Sequence, residues 1–386
     1  MPAAPRFSSL VYERWFAAML PNYQGDVNCV LEFDGHLDTV RLERAFLAAL
    51  AAEPMWSYRF IVHWWTPYWQ PIPRVERSSL VSTEQLADDT ARTAAWNRIL
   101  DTRVDAAARV FVLRTPANDH LLLRVDHCLA DATAARLLLD AVAENYRRDV
   151  PVPETDGPVI RRTAKLLRPL KSNRQRLKAF GELIQFLKRS QAGRGFALPT
   201  PTEHDPPVSP QFLRYPPGSL DRLTQRAMRN RATAVMVIMA VTYVALRDLV
   251  PFSETVEWPI LLPVNLRRYL PPEQQPAPAS LLTGQVGVWV KPGENLDLAA
   301  VIEQVRSQLS AQRGPDFGLT QSPLSLDVPI LRTFAHWNPF SRTRRTLQKM
   351  RHEGEKTPMV LISDLGECRS PGDDWAGVRV TNGYCT

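Results

Sequence analysis

A histidine directly after an apolar run, with an acid four residues later and an amphipathic stretch beyond it, marks Val125-Asp126-His127-Cys128-Leu129-Ala130-Asp131-Ala132 as the segment best suited to chemistry. A histidine at a strand end can aim one ring nitrogen into a cleft, and an unperturbed pKa of about 6.5 suits a general base near neutral pH. An acid four residues on can brace such a loop through an arginine without touching substrate. A plainer reading makes His127 a loop histidine and Asp131 the N-cap of the next helix. An isolated H-x-x-x-D recurs by chance, so on spacing alone the plainer reading is favoured. Cys128 follows a strand residue and should project away from the histidine, so it is expected to pack.

Other chemistries lack their residues. Cys29, Cys128, Cys368 and Cys385 form no C-x-x-C pair, so neither a metal site nor a disulfide framework is expected. The motifs G-x-x-x-x-G-K-[ST], G-x-G-x-x-G, H-E-x-x-H and G-x-S-x-G are all missing. That argues against nucleotide hydrolysis, dinucleotide binding, zinc proteolysis and serine hydrolysis.

The elements that must position His127 and Asp131 are legible on either side. Arg109–Leu113 and Leu121–Val125 read as two strands joined by the turn at Pro116-Ala-Asn-Asp. Thr133–Tyr146 carries Leu137, Leu138, Ala141 and Val142 at helical spacing. Upstream, Asn28–Phe33 reads as a strand, Asp34-Gly35 as a turn, and Asp38 as the cap of a helix bearing Val40, Leu42, Ala45, Phe46 and Leu50. Downstream, Ser219 opens a helix and Thr233–Leu249 reads as an apolar helix buried almost all round. Strands at Val256–Leu262, Gln285–Val290 and Met359–Ser363 and a helix at Leu296–Gln312 follow. Strands and helices mixed in both halves predict α/β layering. Trp56, Trp64, Trp65 and Trp69 are expected in the core and at the contact between halves, with His63 packed beside them. His336 and His352 fall in a polar, Arg-rich stretch and are expected to be solvated, as is the helix face carrying Arg342, Arg344, Arg345 and Lys349.

Charge is concentrated in one place. The chain of 386 residues has a net charge of +7, yet Pro158–Gly195 holds eleven Lys or Arg and one acid, Glu182, for a local balance of +10. Everything else sums to −3. Proline-rich stretches at 151–158 and 198–217 bracket this segment, which divides the chain into 1–157, a crossover at 158–217, and 218–386. Nucleic-acid binding is disfavoured, because the charge is confined to one crossover. Leu166, Leu167, Leu170, Leu177, Phe180, Leu183, Ile184 and Leu187 make the segment amphipathic as well. Its apolar stripe is expected to pack on the first domain, leaving residues 161–194 as a possible contact for CoA phosphates, an acidic carrier protein or a membrane surface. The N-terminus lacks a signal-peptide pattern, and Ala232–Leu246 is too short and too polar for a membrane span, so a reduced cytoplasmic setting is expected.

The run LLLRVDHCLADATAARLLL resembles the H-x-x-x-D signature of the condensation-domain and CoA-dependent acyltransferase superfamily. Further landmarks follow in order: FDGHLDTVRLERAFLAALAAEP, Leu100-Asp101 with Arg109-Val110-Phe111, RATAVMVIMAVTYVAL, Leu262-Pro-Val-Asn-Leu-Arg267, and Ser363-Asp-Leu-Gly366. The last resembles an element of the alcohol-acyltransferase and polyketide-associated branch. The resemblance implies an α/β fold of two chloramphenicol-acetyltransferase-like subdomains in a V-shaped pseudo-dimer with a central tunnel. It implies transfer of an acyl group from acyl-CoA or an acyl-carrier protein to a hydroxyl or amine in specialised-metabolite or lipid biosynthesis, with no bound cofactor and no metal. On this resemblance His127 is the general base, Asp131 a loop-bracing acid and Arg267 its partner, while Asp126, Ser363, Asp364 and Gly366 fall at substrate-binding positions.

The sequence also departs from the pattern. Asp126 stands where many members have a first histidine, Ala132 where they have glycine, and Asp364 where they have asparagine. Members usually continue further beyond the element at Gly366, so either an abbreviated C-terminal half or a truncated product is expected. Two alternatives stay open: an inactive relative serving as a binding or scaffold partner, and a carrier-protein-dependent amide-forming enzyme.

Overall fold

The computed structural model describes residues 6–19, 26–101, 106–159, 167–192, 215–216, 218–249, 257–275, 279–291, 297–322, 340–342, 345, 360–362 and 374–385. In chain order the elements are β1 (Phe7–Ser8), α1 (Val11–Met19), β2 (Asp26–Phe33), α2 (Thr39–Ala52), β3 (Tyr58–Ile61), β4 (Tyr68–Pro71), β5 (Val81–Gln85), α3 (Asp89–Asp101), β6 (Ala108–Arg114), β7 (Asp119–Asp126) and α4 (Ala132–Arg148). The crossover helix α5 (Asn173–Ala192) comes next. It is followed by α6 (Ser219–Arg229), α7 (Ala234–Leu249), β8 (Trp258–Asn265), β9 (Thr283–Val290), α8 (Leu298–Gln312), β10 (Val360–Leu361), β11 (Asp374–Trp375) and β12 (Val378–Cys385).

Two sheets carry two cores. The first has the order β11-β12-β2-β7-β6-β5 and the second β10-β8-β9, while β1, β4 and β3 form a small third sheet. In the first sheet both faces are covered, and the strands alternate accordingly. Cys29, Leu31 and Phe33 of β2 and Leu121, Leu123 and Val125 of β7 enter the core with α2 and α4. Val30 and Leu122 point the other way, onto Ala95, Trp96 and Ile99 of α3. The two β strands pair antiparallel with Cys29 opposite Leu123. Asp38 caps α2 by accepting from the Val40 and Arg41 N–H groups.

The second core gathers Met236, Met239, Ala240 and Tyr243 of α7, Ile260 and Val264 of β8, Val286 and Val288 of β9, and Val301, Val305 and Leu309 of α8. Its outer strand edge is not left open. Gln304 accepts from the Lys291 N–H, Gln308 both accepts from and donates to the Trp289 backbone, and Gln312 donates to the Gly287 carbonyl. Spaced four apart on α8, these three amides satisfy the β9 edge as a neighbouring strand would. The short helix α1 joins the two cores: Tyr12 packs in the second, Ala17 and Ala18 in the first, and Phe16 touches both.

Several expectations are corrected. The crossover helix packs on the second lobe, not the first: Leu183 and Phe186 sit against Leu261 and Trp289, and Ala179 joins the second core. Gly287 makes room for this contact, since a Cβ there would lie 2.7 Å from the Phe186 ring. Helix α7 is not buried all round, because Ile238 and Val241 face solvent. Of the four tryptophans Trp56 and Trp69 are fully buried, but Trp64 is 62% and Trp65 40% exposed at the β3–β4 tip, and His63 beside them is exposed rather than packed. Trp64 and Trp65 lie in the six-residue connection between β3 and β4, where their carbonyls accept from the Phe340 and Ser341 N–H groups while their rings stay outside the core. Finally, β12 lies in the stretch assigned by linear order to the second half, yet it pairs antiparallel with β2 and extends the first sheet. Arg342 and Arg345 are exposed; Arg344, Lys349, His336 and His352 lie outside the described residues. Among the described residues no helix is long and apolar enough to cross a membrane.

Candidate active site

Strand β7 is buried along its whole length and delivers the loop that follows it. The Asp126 N–H donates to the Ala107 carbonyl, and the Leu129 and Ala130 N–H groups both return to the Asp126 carbonyl. The Asp126 carboxylate accepts from the Cys128 N–H at 2.8 Å, a side-chain turn that tightens the same loop. Asp126, expected at a substrate-binding position, is 4% exposed and its carboxylate braces this loop. Cys128 is fully buried, as packing requires.

His127 is held half-buried at the loop's tip, with Nδ1 2.8 Å from the Ala130 carbonyl oxygen. A carbonyl only accepts, so Nδ1 carries the proton in this contact. In the neutral form of the ring the lone pair is then on Nε2. Phe16 of α1 lies against the imidazole with ring centroids 5.3 Å apart.

Asp131 does both things that its position allowed. One carboxylate oxygen caps α4 by accepting from the Ala134 N–H at 2.8 Å. The other accepts three donors from the second lobe: Arg267 Nη1 at 2.9 Å, the Leu282 N–H at 2.8 Å and the Thr283 hydroxyl at 3.0 Å. Both ion-pair side chains are buried. Arg267 also donates to the Ser280 carbonyl, and its own backbone N–H is held by Asn265, which caps the 3-10 turn Leu266–Tyr269 directly after β8. The floor beneath Thr283 admits no extra atom. A Cβ on Gly284 would lie 1.9 Å from the Gly318 carbonyl oxygen, and Gly318 itself has φ +81°. Ser322 closes this region by donating to the Thr283 carbonyl.

The structure therefore brings Asp131 and Arg267 together across 136 positions and places His127 four residues from that clasp. Ser363, Asp364 and Gly366 lie outside the described residues. Phe16, Ser280, Leu282 and Thr283 have no counterpart in the sequence reading, and Asn265 entered it within the Leu262–Arg267 landmark without a role of its own. Only Asn265 carried a signal, as a helix-capping residue type two positions before Arg267; backbone donors and a distant aromatic leave no motif. A cavity of about 380 Å³ opens elsewhere, between β5, β6 and α3, lined in part by Ser82, Glu84, Arg98 and Phe111. Among the described residues no group of His, Cys, Asp and Glu is placed to hold a metal ion.

No family model matches the sequence, and no curated protein matches it. Solved structures do. The first condensation domain of the CDA synthetase superposes with a TM-score of 0.65 at 18% identity, covering 100% of this chain and 84% of that one. Polyketide synthase associated protein 5 from Mycobacterium tuberculosis gives 0.59 at 18%, over 98% and 87%. Trichothecene 15-O-acetyltransferase from Fusarium sporotrichioides gives 0.67 at 12%, over 99% and 86%. The chain has the condensation-domain fold. It is the fold that the sequence resemblance implied, and these condensation-domain and O-acetyltransferase structures share it. Within it, His127 and the Asp131–Arg267 clasp lie on the loop after β7 and at the contact with the second lobe.

Proposed function

We propose that this condensation-fold protein is an acyltransferase that moves an acyl group from a thioester, carried by CoA or a carrier protein, to a hydroxyl or amine acceptor in specialised-metabolite or lipid biosynthesis. The observation that carries the reading is the 2.8 Å contact of His127 Nδ1 with the Ala130 carbonyl oxygen. With Nδ1–H committed to the Ala130 carbonyl, Nε2 is the basic nitrogen on a half-buried ring. It takes the acceptor proton as the acceptor oxygen or nitrogen attacks the thioester carbonyl. The tetrahedral intermediate collapses with cleavage of the C–S bond, and the imidazolium returns its proton to the departing thiolate. The thioester is already activated, so the chain needs no nucleophile of its own. Asp131 and Arg267 act through position: they hold the loop and the second lobe in register and touch no reacting atom.

The test is transfer by purified protein with acyl-CoA and acyl-carrier donors, followed by intact mass. We expect His127→Ala to lose about 10²–10⁴-fold in kcat, the usual worth of a positioned general base. A His127→Ala protein with full activity refutes the assignment.

A further inference from the structure

The basic crossover helix packs on the second lobe and turns a charged face outward. One face of α5 is spent: Ala179, Leu183 and Phe186 are buried against the second lobe. Its start is fixed by a reciprocal cap, with Ser172 and Gln175 each accepting from the other's backbone N–H. On the opposite side Arg174, Leu177, Lys178, Gly181, Gln185 and Lys188 recur at helical spacing and are all exposed. From Arg174 to Lys188 this stripe runs about 21 Å at 1.5 Å per residue. Lys171 stands exposed just ahead of it.

Three features set this stripe apart from an ordinary solvated face. First, the cations at its ends have no acidic partner among the described residues. Lys178 reaches Glu182 and Asp316, and Arg189 at the edge is engaged by Glu257 and the Trp289 ring. Lys171, Arg174 and Lys188 pair with no acid among the described residues. Second, its centre is Gly181, where an added Cβ would meet nothing within 4 Å. Glycine in a helix interior is destabilising relative to alanine, and no contact among the described residues requires it here. A bare backbone at the midpoint of an exposed helix permits close approach by another helix. Third, Leu177 lies 53% exposed among the charges, an apolar contact point beside that midpoint.

We infer that the outward face of α5 is the docking surface for an acidic acyl-carrier domain, which lays a helix across Gly181 and pairs its carboxylates with Lys171, Arg174 and Lys188. The spread of charge favours this partner. CoA phosphates would need converging donors, whereas these cations flank a stripe about 20 Å long. A membrane would need an apolar face turned outward, and the apolar face of α5 is turned into the second lobe. The inference draws its donor from the thioester reading above, and the test separates the two.

The probe is octanoyl-loaded acyl carrier protein of bacterial fatty-acid synthesis, with octanoyl-N-acetylcysteamine as a neutral small donor. Binding is read by calorimetry and transfer by intact mass. The triple variant Lys171→Glu, Arg174→Glu, Lys188→Glu should weaken carrier binding by about tenfold or more while leaving transfer from the small thioester unchanged. Gly181→Ala should raise Tm yet weaken carrier binding, a combination that a merely solvated face cannot give. Unaltered carrier binding in both variants, no complex between wild type and the carrier, or loss of binding to phosphatidylglycerol vesicles in its place would each overturn the proposal. Failure of wild type to transfer from either donor would refute the acyltransferase reading, while the binding measurement still decides the docking.

Discussion

Replacing Arg267 with methionine isolates the contribution of the clasp. Methionine keeps an unbranched stem in the space of the arginine side chain and removes the charge. In wild type one Asp131 oxygen accepts from Arg267, Leu282 and Thr283, and both charged side chains are nearly excluded from water. Removing one partner of such a pair leaves an uncompensated buried carboxylate and costs about 3–5 kcal/mol. The Ser280 carbonyl also loses its donor, worth about 1 kcal/mol. The Leu282 and Thr283 donors remain and offset part of this, so we expect a loss of about 4 kcal/mol. Asp131→Asn alone keeps an N-cap acceptor for the Ala134 N–H but turns an amide toward Arg267, and should cost about 3 kcal/mol by the same desolvation argument. Combining the two removes both charges at once. The double variant should then lose about 4 kcal/mol rather than the sum, a coupling of about 3 kcal/mol. The assay is equilibrium unfolding in guanidinium with fluorescence and far-ultraviolet readouts. A cost below about 1 kcal/mol for Arg267→Met, or strict additivity in the cycle, would show that the clasp does not join the lobes energetically.

Two further outcomes follow from buried groups away from the clasp. Burial pushes the Glu53 carboxyl up to about 7 from an ordinary 4.5. Because the folded state holds this proton more tightly, the group's contribution is fully favourable below pH 4.5 and is lost as pH rises toward 7. Glu53→Gln should therefore match wild type in Tm in acid and exceed it above neutral pH; a gap independent of pH would contradict this. Gln308→Ala removes both partners of the buried Trp289 backbone. At about 1–3 kcal/mol for each orphaned group it should destabilise the second lobe by at least about 2 kcal/mol and promote aggregation through the freed β9 edge, measured by unfolding and light scattering.

How much was legible differs between the two lobes. Strands β2, β6 and β7 and helices α2 and α4 could be read because local signals agree there: the Asp38 cap, the alternating apolar faces and the turn at residues 116–119. The β7–α4 connection was readable for the same reason, and it fixed the place of His127. The direction of its imidazole was not, because that rests on a single backbone carbonyl three residues away.

By itself the sequence determined the order of elements, the candidate base, the capping acid and the local charge of the crossover, since each is set by residues near one another in the chain. Tertiary structure alone decided the rest. It turned Asp131 from a helix cap into a joint between lobes, because its donors are 136 to 152 positions away. It seated the basic helix on the second lobe, because Gly287 and Trp289 form a surface that fits Phe186 and Leu183. It also carried the last strand back to β2, a pairing of backbone hydrogen bonds that side-chain pattern does not encode.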